Sequence, residues 1–184
     1  MTVIAARIKK NGSIVMGCDT CVSNGYSQSI TKAPKVFIHN KFIIGTSGNI
    51  RTANILQHRF RPPTMTQGQS EDDYLFTSFI DHLRTTLRDS GAMSTDEGTD
   101  QMGATLLLGH DGRLFYIYAD FGIVESPMPY GAVGSGAMAA LGSFHATSEK
   151  NMDAKRQVMT AMEAAAEHAC GVRGPFHLLT LRQT

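Results

Sequence analysis

Met1-Thr2-Val3-Ile4-Ala5-Ala6-Arg7-Ile8 reads as a β-strand from its first residues, with Val3, Ile4 and Ile8 apolar. Chain ends are more often frayed and polar. A methionine ahead of a small residue is the kind that processing removes. Its loss leaves Thr2 with a hydroxyl and a free α-amine on one residue, at the tip of a strand. A threonine hydroxyl alone is a poor nucleophile. An α-amine, with a pKa of roughly 7.7–8.0, is a base that can activate it. The plainer reading is that Met-Thr is an ordinary way to begin a protein, and the rest of the chain has to decide.

Working outward, Lys9-Lys10-Asn11-Gly12 is an Asn-Gly turn between apolar runs, a hairpin signal that makes Ser13 to Cys18 the returning strand. Asp19 to Ser29 is polar and rich in small residues, and reads as a loop. Lys35 to Ile38 and Phe42 to Gly45 are two further predicted strands, joined at Asn40-Lys41. Gly45-Thr46-Ser47-Gly48-Asn49 leads into a helix predicted from Ile50 to Phe60, stopped by Pro62-Pro63. Leu75, Phe76, Phe79, Ile80, Leu83 and Leu87 recur at three- and four-residue spacing, which predicts an amphipathic helix from Glu71 onward. Gly91 to Asp100 reads as a loop. Strands are predicted over Ala104 to Leu108, Leu114 to Tyr118, Tyr130 to Val133 and Phe176 to Leu181. Between the last two lie helices over Ala137 to Ala146 and Met152 to Cys170. Segregated strands and helix pairs argue for an α+β fold, one domain over residues 1–184, with sheets inside and helices outside.

The totals narrow the function. Over 184 residues, 42% are hydrophobic and 18% charged, with ten Met and eighteen Gly, a balance that suggests oligomeric surfaces. A net charge of +1 gives no electrostatic footprint for nucleic acid or an anionic membrane. No apolar run approaches the ~18 residues of a membrane span, and no signal peptide opens the chain, so a cytoplasmic location is expected. Cys18 and Cys21 form a C-x-x-C, but the second pair that a zinc site needs is missing and Cys170 stands apart. The histidines show no metal-ligand spacing. No metal and no cofactor is expected. Asp120-Phe121-Gly122 lacks the glycine-rich and catalytic loops of a kinase and reads as a turn.

Five pieces occur in the order and spacing of one family: Thr2 to Ile8, the turn and strand to Asp19, Lys35-Val36-Phe37, Gly45-Thr46-Ser47-Gly48, and Tyr130 to Gly136 with its Gly134-Ser135-Gly136. Over essentially its whole length the chain resembles proteasome β-subunits, and most of all the bacterial HslV-type peptidase. These are N-terminal-nucleophile hydrolases with a four-layer αββα sandwich. The resemblance implies Thr2 as nucleophile once Met1 is gone, Asp19 as the acidic residue after the second strand, and Lys35 as the buried lysine that eases ionisation of the hydroxyl. It implies Gly45 as the backbone N–H donor to the oxyanion, and Ser135 as the hydroxyl near the terminal amine. Taken singly, Asp19 can instead cap a turn, Lys35 can be an exposed strand residue, Gly45 and Gly48 can serve turn geometry, and Ser135 can cap a helix.

The family also carries an Asp and a nearby Ser after the last long helix. Here that region reads Glu167-His168-Ala169-Cys170-Gly171-Val172, with neither residue clearly present: either His168 or Cys170 substitutes, or the site is weak. The implied function is a threonine endopeptidase in homo-oligomeric rings, hexameric or heptameric and possibly stacked, acting on unfolded protein or peptide with an unfolding ATPase as partner. The rivals are a catalytically silent ring or assembly protein and a small-molecule amidase of the same superfamily.

Overall fold

Alternation in the first strand organises the molecule. The computed structural model describes residues 1–183. Strand β1 (Ile4–Ile8) pairs antiparallel with β2 (Ile14–Cys18) through the Asn11-Gly12 turn, Ile4 opposite Cys18 and Ile8 opposite Ile14. Val3 and Ala5 point to one side, Ile4 and Ala6 to the other, and all four are fully buried. A strand buried on both faces needs a layer on each side of it.

The segment after β2 is not the predicted loop. It folds as a small hairpin of β3 (Cys21–Ser23), which begins buried at Cys21, and β4 (Gln28–Ile30), which is exposed. Its outward residues give no apolar alternation to read, and Asn24 holds the tight turn by accepting from the N–H groups of Tyr26 and Ser27. Strands β5 (Val36–His39) and β6 (Phe42–Gly48) follow, β6 running three residues past the expected end at Gly45. Helix α1 (Ile50–His58) starts at Asn49, whose side chain accepts from the N–H of Arg51.

The second helical region is composite: α2 (Glu71–Asp73), a π-helical stretch Tyr74–Phe79, and α3 (Ile80–Asp89). The predicted loop after it contains another short hairpin, β7 (Ser94–Asp96) with β8 (Thr99–Gln101). Strands β9 (Ala104–His110), β10 (Arg113–Ile117), β11 (Ile123–Glu125) and β12 (Tyr130–Val133) come next. Helices α4 (Ala137–Thr147) and α5 (Ala154–His168) and strand β13 (His177–Leu181) complete the chain.

The strands form two main antiparallel sheets, β12-β1-β2-β13 and β11-β10-β9-β6-β5. Ile4, Met16, Ile43 and Leu107 meet between them. Val3, Ala5 and Val15 pack outward on Phe144, Val158 and Met162 of α4 and α5. On the opposite side Phe42, Ile44 and Phe115 pack on Leu56, Phe79 and Leu83. Burying each such side chain contributes roughly 1.5–3 kcal/mol. The result is a four-layer αββα sandwich. Thr2 has the parity of Ile4 and Ala6, so its side chain faces the second sheet.

Candidate active site

Three chain segments far apart in sequence meet at Thr2. Thr2 precedes β1 and is 6% exposed. Asp19 follows β2 and is fully buried. Lys35 precedes β5, on the other sheet, and its side chain is 13% exposed. A lysine ammonium has three N–H donors. Lys35 directs one each to Thr2 Oγ1 at 2.9 Å, Asp19 Oδ1 at 2.8 Å and the carbonyl of Cys21 at 2.6 Å. Asp19 Oδ1 also accepts the N–H of Val3 at 3.0 Å, and Oδ2 that of Cys21 at 3.0 Å. Asp19 thus caps its own turn and holds a nearly buried cation at once, which merges its two sequence readings. Lys35 is not an exposed strand residue.

On the other flank, the N–H of Thr2 donates to Ser135 Oγ at 3.2 Å, and Ser135 Oγ donates to the carbonyl of Thr2 at 3.3 Å. That carbonyl also accepts the N–H of Gly136 at 3.2 Å. Ser135 does not cap α4, whose capping residue is Gly136 with no side-chain bond. Met1 is 49% exposed, lies against Gly171, and its carbonyl accepts the Thr2 hydroxyl at 2.6 Å. Glu167, His168 and Cys170 are exposed. Neither His168 nor Cys170 hydrogen-bonds Thr2 among the described residues, so the expected substitution is not made there.

Gly45 departs from its expected place. It lies within β6 between Val36 of β5 and Leu107 of β9. Thr46 donates its N–H to Lys35 O at 2.9 Å, so by the antiparallel alternation the N–H of Gly45 faces β9, away from Thr2. A Cβ on Gly45 would meet Ile4 Cγ2 at 2.4 Å and Met16 Sδ at 2.9 Å. Glycine is needed there for close approach of the two sheets.

Gly48, at the end of β6, lines the Thr2 cleft instead. It has the parity of Thr46, so its N–H turns to the side that β5 has vacated. Its φ of +128 and the approach of Gly103 O, 2.6 Å from where a Cβ would stand, both call for glycine. The Gly-Thr-Ser-Gly stretch offered two glycines, and only the register distinguishes the buried one from the one at the strand end.

Burial pushes the Cys18 thiol up to about 11, so this sulfur beside Asp19 stays protonated. Among the described residues no group of three His, Cys, Asp or Glu side chains is placed to hold a metal ion, and no helix is long and apolar enough to cross a membrane.

No protein-family model and no curated protein matches this chain. Solved structures do. The BPH protein of Thiobacillus denitrificans in complex with epoxomicin superposes with a TM-score of 0.80 at 19% identity, covering 99% of this chain and 100% of that one. HslV from Trypanosoma brucei gives 0.69 at 18% identity over 99% and 100%. A mutant of Anbu from a Hyphomicrobium species gives 0.67 at 16% identity over 97% and 80%. At these identities the likeness is one of fold, and the fold is the αββα sandwich of HslV- and proteasome-like N-terminal-nucleophile hydrolases.

Proposed function

We propose that this chain, once Met1 is removed, is a threonine-type peptidase working from Thr2. The observation that carries this reading is the Lys35 ammonium held between Thr2 Oγ1 and Asp19 Oδ1 at 2.9 and 2.8 Å. A positive charge there favours the developing alkoxide, and Asp19 keeps that charge in place.

Thr2 Oγ1 forms a bond to the peptide carbonyl carbon while its proton passes to the Thr2 amine. The oxyanion lies beside the N–H of Gly48, a donor that contributes on the order of 3 kcal/mol to the transition state. The amine then protonates the leaving nitrogen as the C–N bond breaks, leaving an ester on Thr2. Water, deprotonated by the same amine, adds to the ester and restores the hydroxyl. Ser135 orients the amine.

A ring of six or seven subunits, fed by an unfolding ATPase in the cytoplasm, suits such an enzyme, because a free subunit would digest indiscriminately. Exposed Met138 (80%), Val124 (51%) and Tyr26 (101%) are the kind of apolar surface that subunit contacts cover. Sedimentation should then give a species of at least six 20.0 kDa chains.

Intact mass tests the chemistry. A chain lacking Met1 should take up one epoxomicin, the ligand of the Thiobacillus denitrificans protein, because an epoxyketone bonds a hydroxyl and an amine on one residue. Thr2→Ala should take up none and keep its fold, whereas Thr2→Ser should still react. While Met1 is attached, the Thr2 nitrogen is an amide and its hydroxyl donates to the Met1 carbonyl. If Met1 is retained and nothing reacts, the chain is a structural ring protein instead.

A further inference from the structure

The end of β1 away from Thr2 carries cations that lack partners. Arg7 stands roughly 17 Å along the strand from Thr2. It has the parity of Val3 and Ala5, so its side chain turns toward α4 and α5. Its guanidinium lies over the Tyr130 ring, 5.5 Å from the centroid, and Nη1 is buried with no hydrogen-bond partner among the described residues. Among those residues the half-buried Lys and Arg are Arg7, Lys9, Lys35 and Arg113. Lys35 is paired with Asp19, and Arg113 with Asp72 and Glu125. Arg7 and Lys9 make no ion pair with any described residue. Both line one cleft between the end of β1 and the α4–α5 loop.

Lys10 and Lys150 complete the cationic lining of this cleft, and Glu149 and Asp153 stand on it too. Four cations against two carboxylates leave +2, where the whole chain carries +1. Asp153 is engaged already, accepting the N–H of Lys155 at 3.0 Å as the cap of α5. The space is about 640 Å³, within the ~300–1,000 Å³ of small-molecule sites.

We infer that this cleft binds an oligophosphate chain, anchored on Arg7 and held by Lys9, Lys10 and Lys150. The site lies at the opposite end of β1 from Thr2, so it does not rest on the peptidase reading. A guanidinium fork set against an aromatic ring matches the oxygens of a phosphate bidentately. Arriving negative charge also compensates the partly desolvated cation through space, where screening is weaker than in water. A single carboxylate brings one charge and meets Glu149 on the same rim. Two or three linked phosphates outweigh that repulsion and reach lysines on both sides of the cleft.

Equilibrium dialysis of the intact protein in phosphate-free buffer tests this, with sodium tripolyphosphate, metal-free ATP and citrate as ligands. Tripolyphosphate should bind once per chain, and more weakly as salt is raised. Citrate, a tricarboxylate, should bind at least about tenfold more weakly. ATP bound more tightly than tripolyphosphate assigns the site to a nucleotide, and ATP bound equally or less assigns it to the inorganic chain. Arg7→Gln should weaken tripolyphosphate binding about tenfold. Lys150→Gln, on an exposed loop where folding is not at stake, should weaken it about threefold. Arg59→Gln makes the same charge change beside α1, in the opposite helix layer, and should leave binding unchanged.

No binding of tripolyphosphate at millimolar concentration overturns the inference. So does citrate bound as tightly, or a pair of Arg7→Gln and Lys150→Gln variants that bind like the parent. A loss in Arg59→Gln equal to that in Lys150→Gln overturns it as well, because binding is then spread over surface charge.

Discussion

Ser135 and Thr2, 133 residues apart, exchange two hydrogen bonds: the serine hydroxyl accepts from the threonine N–H at 3.2 Å and donates to the threonine carbonyl at 3.3 Å. After removal of Met1 the same hydroxyl faces the free amine. Ser135→Ala should lower kcat/KM for peptide cleavage by about tenfold, with two bonds of ~1 kcal/mol each weakened at most partly in the ground state. Ser135 is exposed, so the melting temperature should hardly move. Steady-state kinetics with a parallel melt checks both halves.

Lys35→Ala leaves Asp19 fully buried without its cation, although the N–H groups of Val3 and Cys21 remain. Breaking such a pair from one side destabilises by roughly 3–5 kcal/mol, which for a chain of this size is a fall of about 10 °C in Tm. Adding Asp19→Asn to the same variant removes the stranded charge and should recover part of the loss. A Lys35→Ala protein that melts with the parent contradicts the buried pair.

Gly48→Ala places a methyl 2.6 Å from Gly103 O and 2.8 Å from Ala104 Cα at a positive φ. Both neighbours are backbone and cannot swing aside. The substitution should destabilise by about 1–3 kcal/mol and, by turning the N–H from the cleft, reduce labelling of Thr2 by more than that loss of stability explains. Gly45→Ala should instead damage folding first, since its methyl meets Ile4 and Met16 between the sheets. Comparing labelling rates of the still-folded fractions separates the two glycines.

The acid limb of stability should carry the mark of Glu125. The Arg113 guanidinium, bonded to both its carboxylate oxygens, holds its carboxyl below the ordinary value. A carboxyl depressed on folding stabilises at pH above its unfolded value, and that stabilisation is lost as pH falls through the folded value. Urea midpoints of the parent and Glu125→Gln should therefore differ at about pH 7 and converge toward about pH 2. The gap is small because both partners are partly exposed.

The layers were legible wherever apolar periodicity was strong. β1, β2, β9, β10 and the helix carrying Ile80, Leu83 and Leu87 all fall where the pattern puts them. The hairpins β3–β4 and β7–β8 were not legible: residues 24–30 and 94–99 are exposed, so no alternation records their pairing. The approach of Thr2, Asp19, Lys35 and Ser135 came from resemblance, because nothing local to Lys35 marks it as nearly buried. Which glycine borders the cleft was also beyond the sequence, since it depends on how far β5 accompanies β6. Helix ends moved by a residue or two, α1 closing at His58 rather than Phe60, within the usual fraying of such boundaries.

Thr2 belongs to one sheet, Lys35 to the edge of the other, and Ser135 enters only when β12 has laid itself along β1. The three polar groups therefore converge only in the finished sandwich. A nascent chain that has made its first hairpin has Thr2 and Asp19 but no lysine to bridge them. A chain stopped before β12 has Thr2, Asp19 and Lys35 but no serine. On the peptidase reading, a copy in which β12 has not paired with β1 lacks the serine that orients the amine, so full activity requires the completed sandwich.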